Sequence, residues 1–217
     1  MITQISEKLA KRLCGYADKI EEAEYVRYGL EVIIGGFFKI LILLAISSIL
    51  HVTNILLSIF LTFAVFRSMT GGHHYSTYLR CLVAGIIIMI GASEIVFNMV
   101  AYVSKDIQLI LLLFSILFGI ISIYLFAPSN HFYKDANNKY SKKLRNLGMV
   151  ATILWGLLLM SFIAFEISPE FVLASIVGYI IQVCTILPFT YCIVRKIELL
   201  LDKERDLTYE KNRSSHV

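Results

Sequence analysis

The chain has 217 residues, of which 58% are hydrophobic and only 17% charged, against roughly 25% charged in soluble proteins. That composition excludes an ordinary soluble enzyme, and a net charge of +4 set in separated blocks gives no reason to expect a nucleic-acid partner. The expected class is an all-α, polytopic integral membrane protein, one domain over residues 1–217.

Residues 1–29 are charged and lack the short apolar core of a secretory signal. They read as an amphipathic helix within 1–30, because Ile2, Ile5, Leu9, Leu13, Tyr16 and Ile20 recur at three- and four-residue steps beside Lys8, Lys11, Arg12 and Lys19. Such a helix lies in the membrane interface or packs on the protein's own cytoplasmic face. Charge-free runs follow, and a bilayer needs about 20 residues of helix. The run 40–66 is too long for one span, so it divides at His51-Val52-Thr53 into two short spans, about 31–50 and 54–69. Four more follow at about 81–103, 107–127, 147–166 and 171–194, giving a six-span core over 31–194 and a tail over 195–217.

An even number of spans puts both termini on one side, and basic residues mark the cytoplasm. Eighteen of the 20 Lys and Arg residues lie in 1–30, the segment 67–81, the loop 128–146 and the tail from Arg195. All four are therefore expected in the cytoplasm. Lys105 is left on the far side, and Lys39 lies inside the first span, where it can snorkel toward the cytoplasm.

Between the second and third spans the chain reads RSMTGGHHYSTYLRC, residues 67–81. Cys81 is expected as the first or second residue of the third helix, where unpaired N–H groups and the helix dipole stabilise a thiolate. Arg67 and Arg80 add positive field. A nucleophilic cysteine needs a base within about 3 Å, yet His74 would stand about 10.5 Å away along a continuous helix. The chain must fold back between them, and Gly71-Gly72 supply the freedom for it. Ser76 or Thr77 can then cap the incoming helix, and the Cys81 backbone N–H is a candidate oxyanion donor. The plainer alternative is that Arg67 and Arg80 only mark the ends of two spans.

A metal site on His73, His74 and Cys81 lacks a third firm ligand, since the segment holds no acidic residue. No metal and no cofactor are expected. Cys14, Cys81, Cys184 and Cys192 show no paired spacing; Cys184 and Cys192, both placed on the last span, are expected to fill space between helices. Glu94, inside the third span, is a candidate for pairing with Asn98 or Gln182. A different class of answer is a transporter or peptide exporter with the polar segment as its gate, and a third is a membrane scaffold without catalysis.

Arg67, His74 and Cys81 at equal seven-residue steps, with Gly71-Gly72 before the histidines, resemble the signature of the accessory gene regulator protein B family. The resemblance extends over nearly the whole chain, through the amphipathic start, the six spans and a basic loop after Ala127-Pro128. It implies a membrane-embedded cysteine endopeptidase that processes a quorum-sensing peptide precursor, with His74 and Cys81 as a catalytic dyad and Arg67, Gly71 and Gly72 as supporting residues. His73 adjoins His74; the seven-residue step to Cys81 selects His74. The implied partners are an autoinducer precursor with an acidic C-terminal tail, the lipid bilayer and a second copy of the chain. Arg80, Lys142 and Lys143 are candidates for drawing in that tail, or for setting topology alone.

Overall fold

The computed structural model describes residues 2–16, 23–73, 75, 77–129 and 138–214. Among them every regular element is helical: α1 (Ile2–Tyr16), α2 (Ala23–Ile49), α3 (Thr53–Thr70), α4 (Tyr78–Met99), α5 (Lys105–Phe126), α6 (Asn138–Ala164), α7 (Pro169–Ile186) and α8 (Pro188–Ser214). A single 3₁₀ turn, Val100–Tyr102, prolongs α4. Helices are what apolar runs must form in lipid, where each backbone N–H and C=O needs a partner within its own segment.

Among the described residues, five stretches are long and apolar enough to cross a bilayer: Thr53–Thr70, Tyr78–Tyr102, Lys105–Phe126, Tyr140–Ala164 and Pro169–Ile186. The first of the six expected spans falls inside α2, whose apolar part, Ile33–Ile49, is shorter than these. The expected joint at residues 51–53 is present, with α2 ending at Ile49 and α3 starting at Thr53. Ile87, Ile95, Leu117 and Leu154 point outward, which suits lipid and would promote aggregation in water.

More than half of α7 is buried, and α3 lies directly on it. Gly178 of α7 meets the backbone of Ile59, a close approach that only a small residue permits. Thr62 and Ser175 share a buried hydrogen bond of 2.8 Å, and Trp155 Nε1 donates to the same Ser175 Oγ at 2.9 Å. Trp155 and Tyr179 stack beside them, with Phe66 edge-on to both rings, and Gly119 of α5 leaves room for the Tyr179 hydroxyl. This aromatic and hydroxyl knot ties α3, α5, α6 and α7 together beneath the polar segment.

Three expectations need correction. The last span is not one helix over 171–194: it breaks at Leu187, which is extended (φ −74°, ψ 141°) before Pro188. Proline forces that conformation on its predecessor and has no N–H for the Cys184 carbonyl. The Leu187 N–H and the Thr190 hydroxyl bond that carbonyl instead. Cys184 and Cys192 therefore lie on different helices, and Cys192 is exposed rather than a filler. The α1 helix is not among the corrections: it packs on α2 through Ser6, Ala10 and Cys14 and leaves Leu9 and Leu13 of the expected stripe exposed, as a helix lying in the membrane interface would. Ile20 lies outside the described residues. Lys142 and Lys143, expected in a loop, sit in the first turns of α6.

Candidate active site

The site is assembled where α3 ends. The Gly71 N–H closes the last turn on the Arg67 carbonyl at 3.0 Å, and Gly71 and Gly72 take φ of 71° and 145°, a region that favours glycine. A side chain at Gly72 would collide with the Arg67 guanidinium and the Thr185 hydroxyl. From there the chain hangs on the end of α7. Gln182 Nε2 donates to the Gly71 carbonyl (2.7 Å) and to Thr70 Oγ1 (2.9 Å), and the His73 N–H donates to the Thr185 carbonyl (3.2 Å). Arg67 stitches both sides, donating to Thr185 Oγ1 (3.1 Å) and to the His73 carbonyl.

Thr77 then caps α4, its hydroxyl accepting from the Arg80 N–H at 3.4 Å. Cys81 is thus the fourth residue of the helix, not the first or second. Its N–H is taken by the Thr77 carbonyl at 3.1 Å, so it is not a spare oxyanion donor. Since α3 stops at Thr70 and α4 starts at Tyr78, no single helix runs through the polar segment. His74 and Ser76 lie outside the described residues.

Cys81, half-buried, opens on a cavity of about 240 Å³ walled by Arg67, His73, Tyr75, Thr185 and Lys39, with Phe60 and Phe63 on the apolar side. His73 packs edge-on against Tyr191 (4.8 Å between centroids) and Tyr75 (5.8 Å). Its Nε2 is buried and, among the described residues, has no hydrogen-bond partner. Burial pushes the His73 imidazole below its ordinary value, with Arg67 adding to the effect and Glu198 opposing it. Tyr75 is pushed up, chiefly by burial and then by Cys81 and Glu198.

A stability profile follows from His73. Its proton is bound more weakly in the folded chain, so the unfolded chain takes one up first as pH falls. The neutral imidazole's contribution is intact above about pH 6.5 and declines below it. The melting temperature in detergent should fall on acidification through that range, and His73→Gln should flatten the slope; an equal slope in both proteins would contradict it.

Of the other expected residues, Arg80 does not line this cavity. It pairs with Asp202 of α8 at 2.5 Å and borders a separate apolar groove between α4 and α8. Lys142 and Lys143 are exposed on α6, away from the cavity wall. Glu94 does not meet the Gln182 side chain, which is engaged with Thr70 and Gly71; Asn98 donates instead to the Glu94 backbone carbonyl at 2.8 Å. Among the described residues no three His, Cys, Asp or Glu side chains stand together as metal ligands. Sequence reasoning missed Lys39, Gln182 and Thr185. Lys39 carried a signal, a cation within an apolar run; for Gln182 and Thr185 no local pattern announces a partner more than a hundred residues away.

The model of the family described as Accessory gene regulator B matches residues 2–186. The chain is similar to the accessory gene regulator protein B of Staphylococcus aureus strains JH9 and N315, 26% identical over 166 residues, covering 76% of this chain and 83% of each relative. Its likeness to the protein of the same name from the bovine strain RF122 / ET3-1 is 25% over the same length. No solved structure matches.

Proposed function

This chain belongs to the accessory gene regulator B family, and from that premise we propose that it is a membrane-embedded cysteine endopeptidase that processes a quorum-sensing propeptide. The observation that carries the reading is the placement of Cys81 in the first turns of α4, in one cavity with Arg67 and an imidazole-bearing segment. His74, by the family motif, takes the Cys81 thiol proton as general base. The thiolate adds to the precursor carbonyl at the end of the signal segment, and the C–N bond breaks. His74 returns the proton to the leaving amine, and the acidic tail departs. The signal segment remains as a thioester on Cys81 until its own cysteine thiol or serine hydroxyl attacks that carbonyl, frees Cys81 and closes a thiolactone or lactone.

Cyclisation must outrun hydrolysis, which favours a pocket with little water; Phe60, Phe63 and Ile181 along the cavity serve that end. Arg67 holds the polar segment in place through its bonds to Thr185 and His73. In this reading α2 completes six spans in a single domain, the termini and the site face the cytoplasm, and two copies form the working unit. Lys142 and Lys143, exposed on α6, attract the acidic tail before it reaches the site.

The test uses the full chain in detergent or nanodiscs, incubated with a synthetic precursor encoded beside it. Mass spectrometry should find a hydroxylamine-labile acyl adduct on Cys81, together with a released acidic tail and a cyclic product. Cleavage without any adduct on Cys81, or an intact precursor, would overturn the reading.

A further inference from the structure

Lys39 sits on α2 among Phe37, Phe38, Ile40 and Leu41, an apolar setting in which an ammonium is costly unless something answers its charge. Snorkelling toward water would be the ordinary outcome. Instead the side chain crosses to α4, where Nζ donates to the Cys81 carbonyl at 3.4 Å and lines the same cavity as Cys81. Among the described residues no carboxylate pairs with it.

Two glycines hold it there. Gly85, one turn beyond Cys81, has no side chain, and a Cβ would collide with Lys39 Nζ and Cε. Gly35, one turn before Lys39, receives the Tyr78 ring, and the Tyr78 hydroxyl donates to the Gly35 carbonyl at 2.8 Å. The two helices therefore exchange one large side chain each into a glycine notch on the other, which fixes the ammonium next to the nucleophile's turn. This packing places a half-buried charge where a leucine would fill the space without one. Its missing counter-ion is supplied by the reaction: the Cys81 thiolate, and then the oxyanion formed when that thiolate adds to a carbonyl.

From this geometry we infer that Lys39 is the anion-stabilising positioning residue of the Cys81 site, an inference that rests on the peptidase reading above. It fills a need left open when the Cys81 N–H proved to be taken. Among the described residues, the other charged or titratable groups packed about this site are Arg67 from α3, His73 and Tyr75 from the polar segment, Tyr78 and Arg80 on α4 itself, and Tyr191 and Glu198 from α8, with Asp202 beyond them on Arg80. Arg67 is engaged with Thr185 and His73, and Arg80 with Asp202, which leaves Lys39 as the cation on the α2 side of the cavity.

The test measures the iodoacetamide rate at Cys81 against pH by peptide mass spectrometry on the intact chain, with precursor cleavage followed in parallel. In Lys39→Met and Lys39→Gln the pH of half-maximal alkylation should rise by about one unit, and cleavage near neutral pH should fall about tenfold or more. Lys39→Arg should keep both near the original values. Unshifted profiles in the neutral variants, or an equal shift in Lys39→Arg, would overturn the inference, the second because it would assign the effect to packing. Failure of the unmodified chain to cleave the precursor would instead overturn the peptidase reading, so the two failures are distinct.

Discussion

Cys81→Ala is expected to end precursor cleavage, with a fall of about 10⁴-fold or more, the scale on which removal of a nucleophile acts. The folded state should be untouched, because the Cys81 side chain is half-buried at a cavity wall and its backbone bonds do not depend on sulfur. Melting temperature and helix content should match those of the unaltered protein. Cys81→Ser sharpens the result, since an exporter or scaffold should tolerate an oxygen in place of sulfur, whereas a thiol peptidase loses its thiolate. His74→Ala should be nearly as damaging as Cys81→Ala, and His73→Ala less so. The reverse order would move the general base to His73, the imidazole that lines the described cavity. Full cleavage by the alanine variant at Cys81 would remove the mechanism altogether.

The second large effect concerns the α3–α7 seam. A Cβ at Gly178 would fall on the Ile59 carbonyl and within 2.9 Å of its Cα. Backbone atoms in a helix cannot step aside as a flexible side chain can, so the two helices must part. Gly178→Ala should cost about 1–3 kcal/mol, and Gly178→Val more, as overpacking of a tight interface does. Activity should fall with stability, because Gln182 and Thr185 lie one to two turns further along α7 and suspend the polar segment. Gly91→Ala is the matched control, since nothing stands within 4 Å of a Cβ there. Thermal unfolding in detergent separates them; equal melting temperatures for the two alanine variants would show that the seam has slack.

What could be read from the sequence follows from what apolar runs report. Partition into lipid is a summed property of a segment, so the helical class and most span positions emerged from charge-free stretches alone. The break at Leu187 did not, because proline is neutral and its missing N–H is invisible to a count of charges. The start of α4 at Tyr78 depended on a single hydroxyl at Thr77, which placed Cys81 three residues deeper than the run of apolar residues indicated. The polar segment itself was legible because polar residues are conspicuous in an oily chain. Its supports were not: Gln182, Thr185 and Lys39 reach it across distances that only the packed helices close.

The polar segment and Cys81 belong to different bodies. Residues 71–73 hang from the end of α7, whereas Cys81 rides on α4. A rigid-body lean of one helix against the other therefore changes the gap between His73 and Cys81 without altering either element. Helices lean to match the thickness of the hydrocarbon around them, so under the peptidase reading acyl-chain length in the host membrane should act on the rate, through the way one short strap is hung.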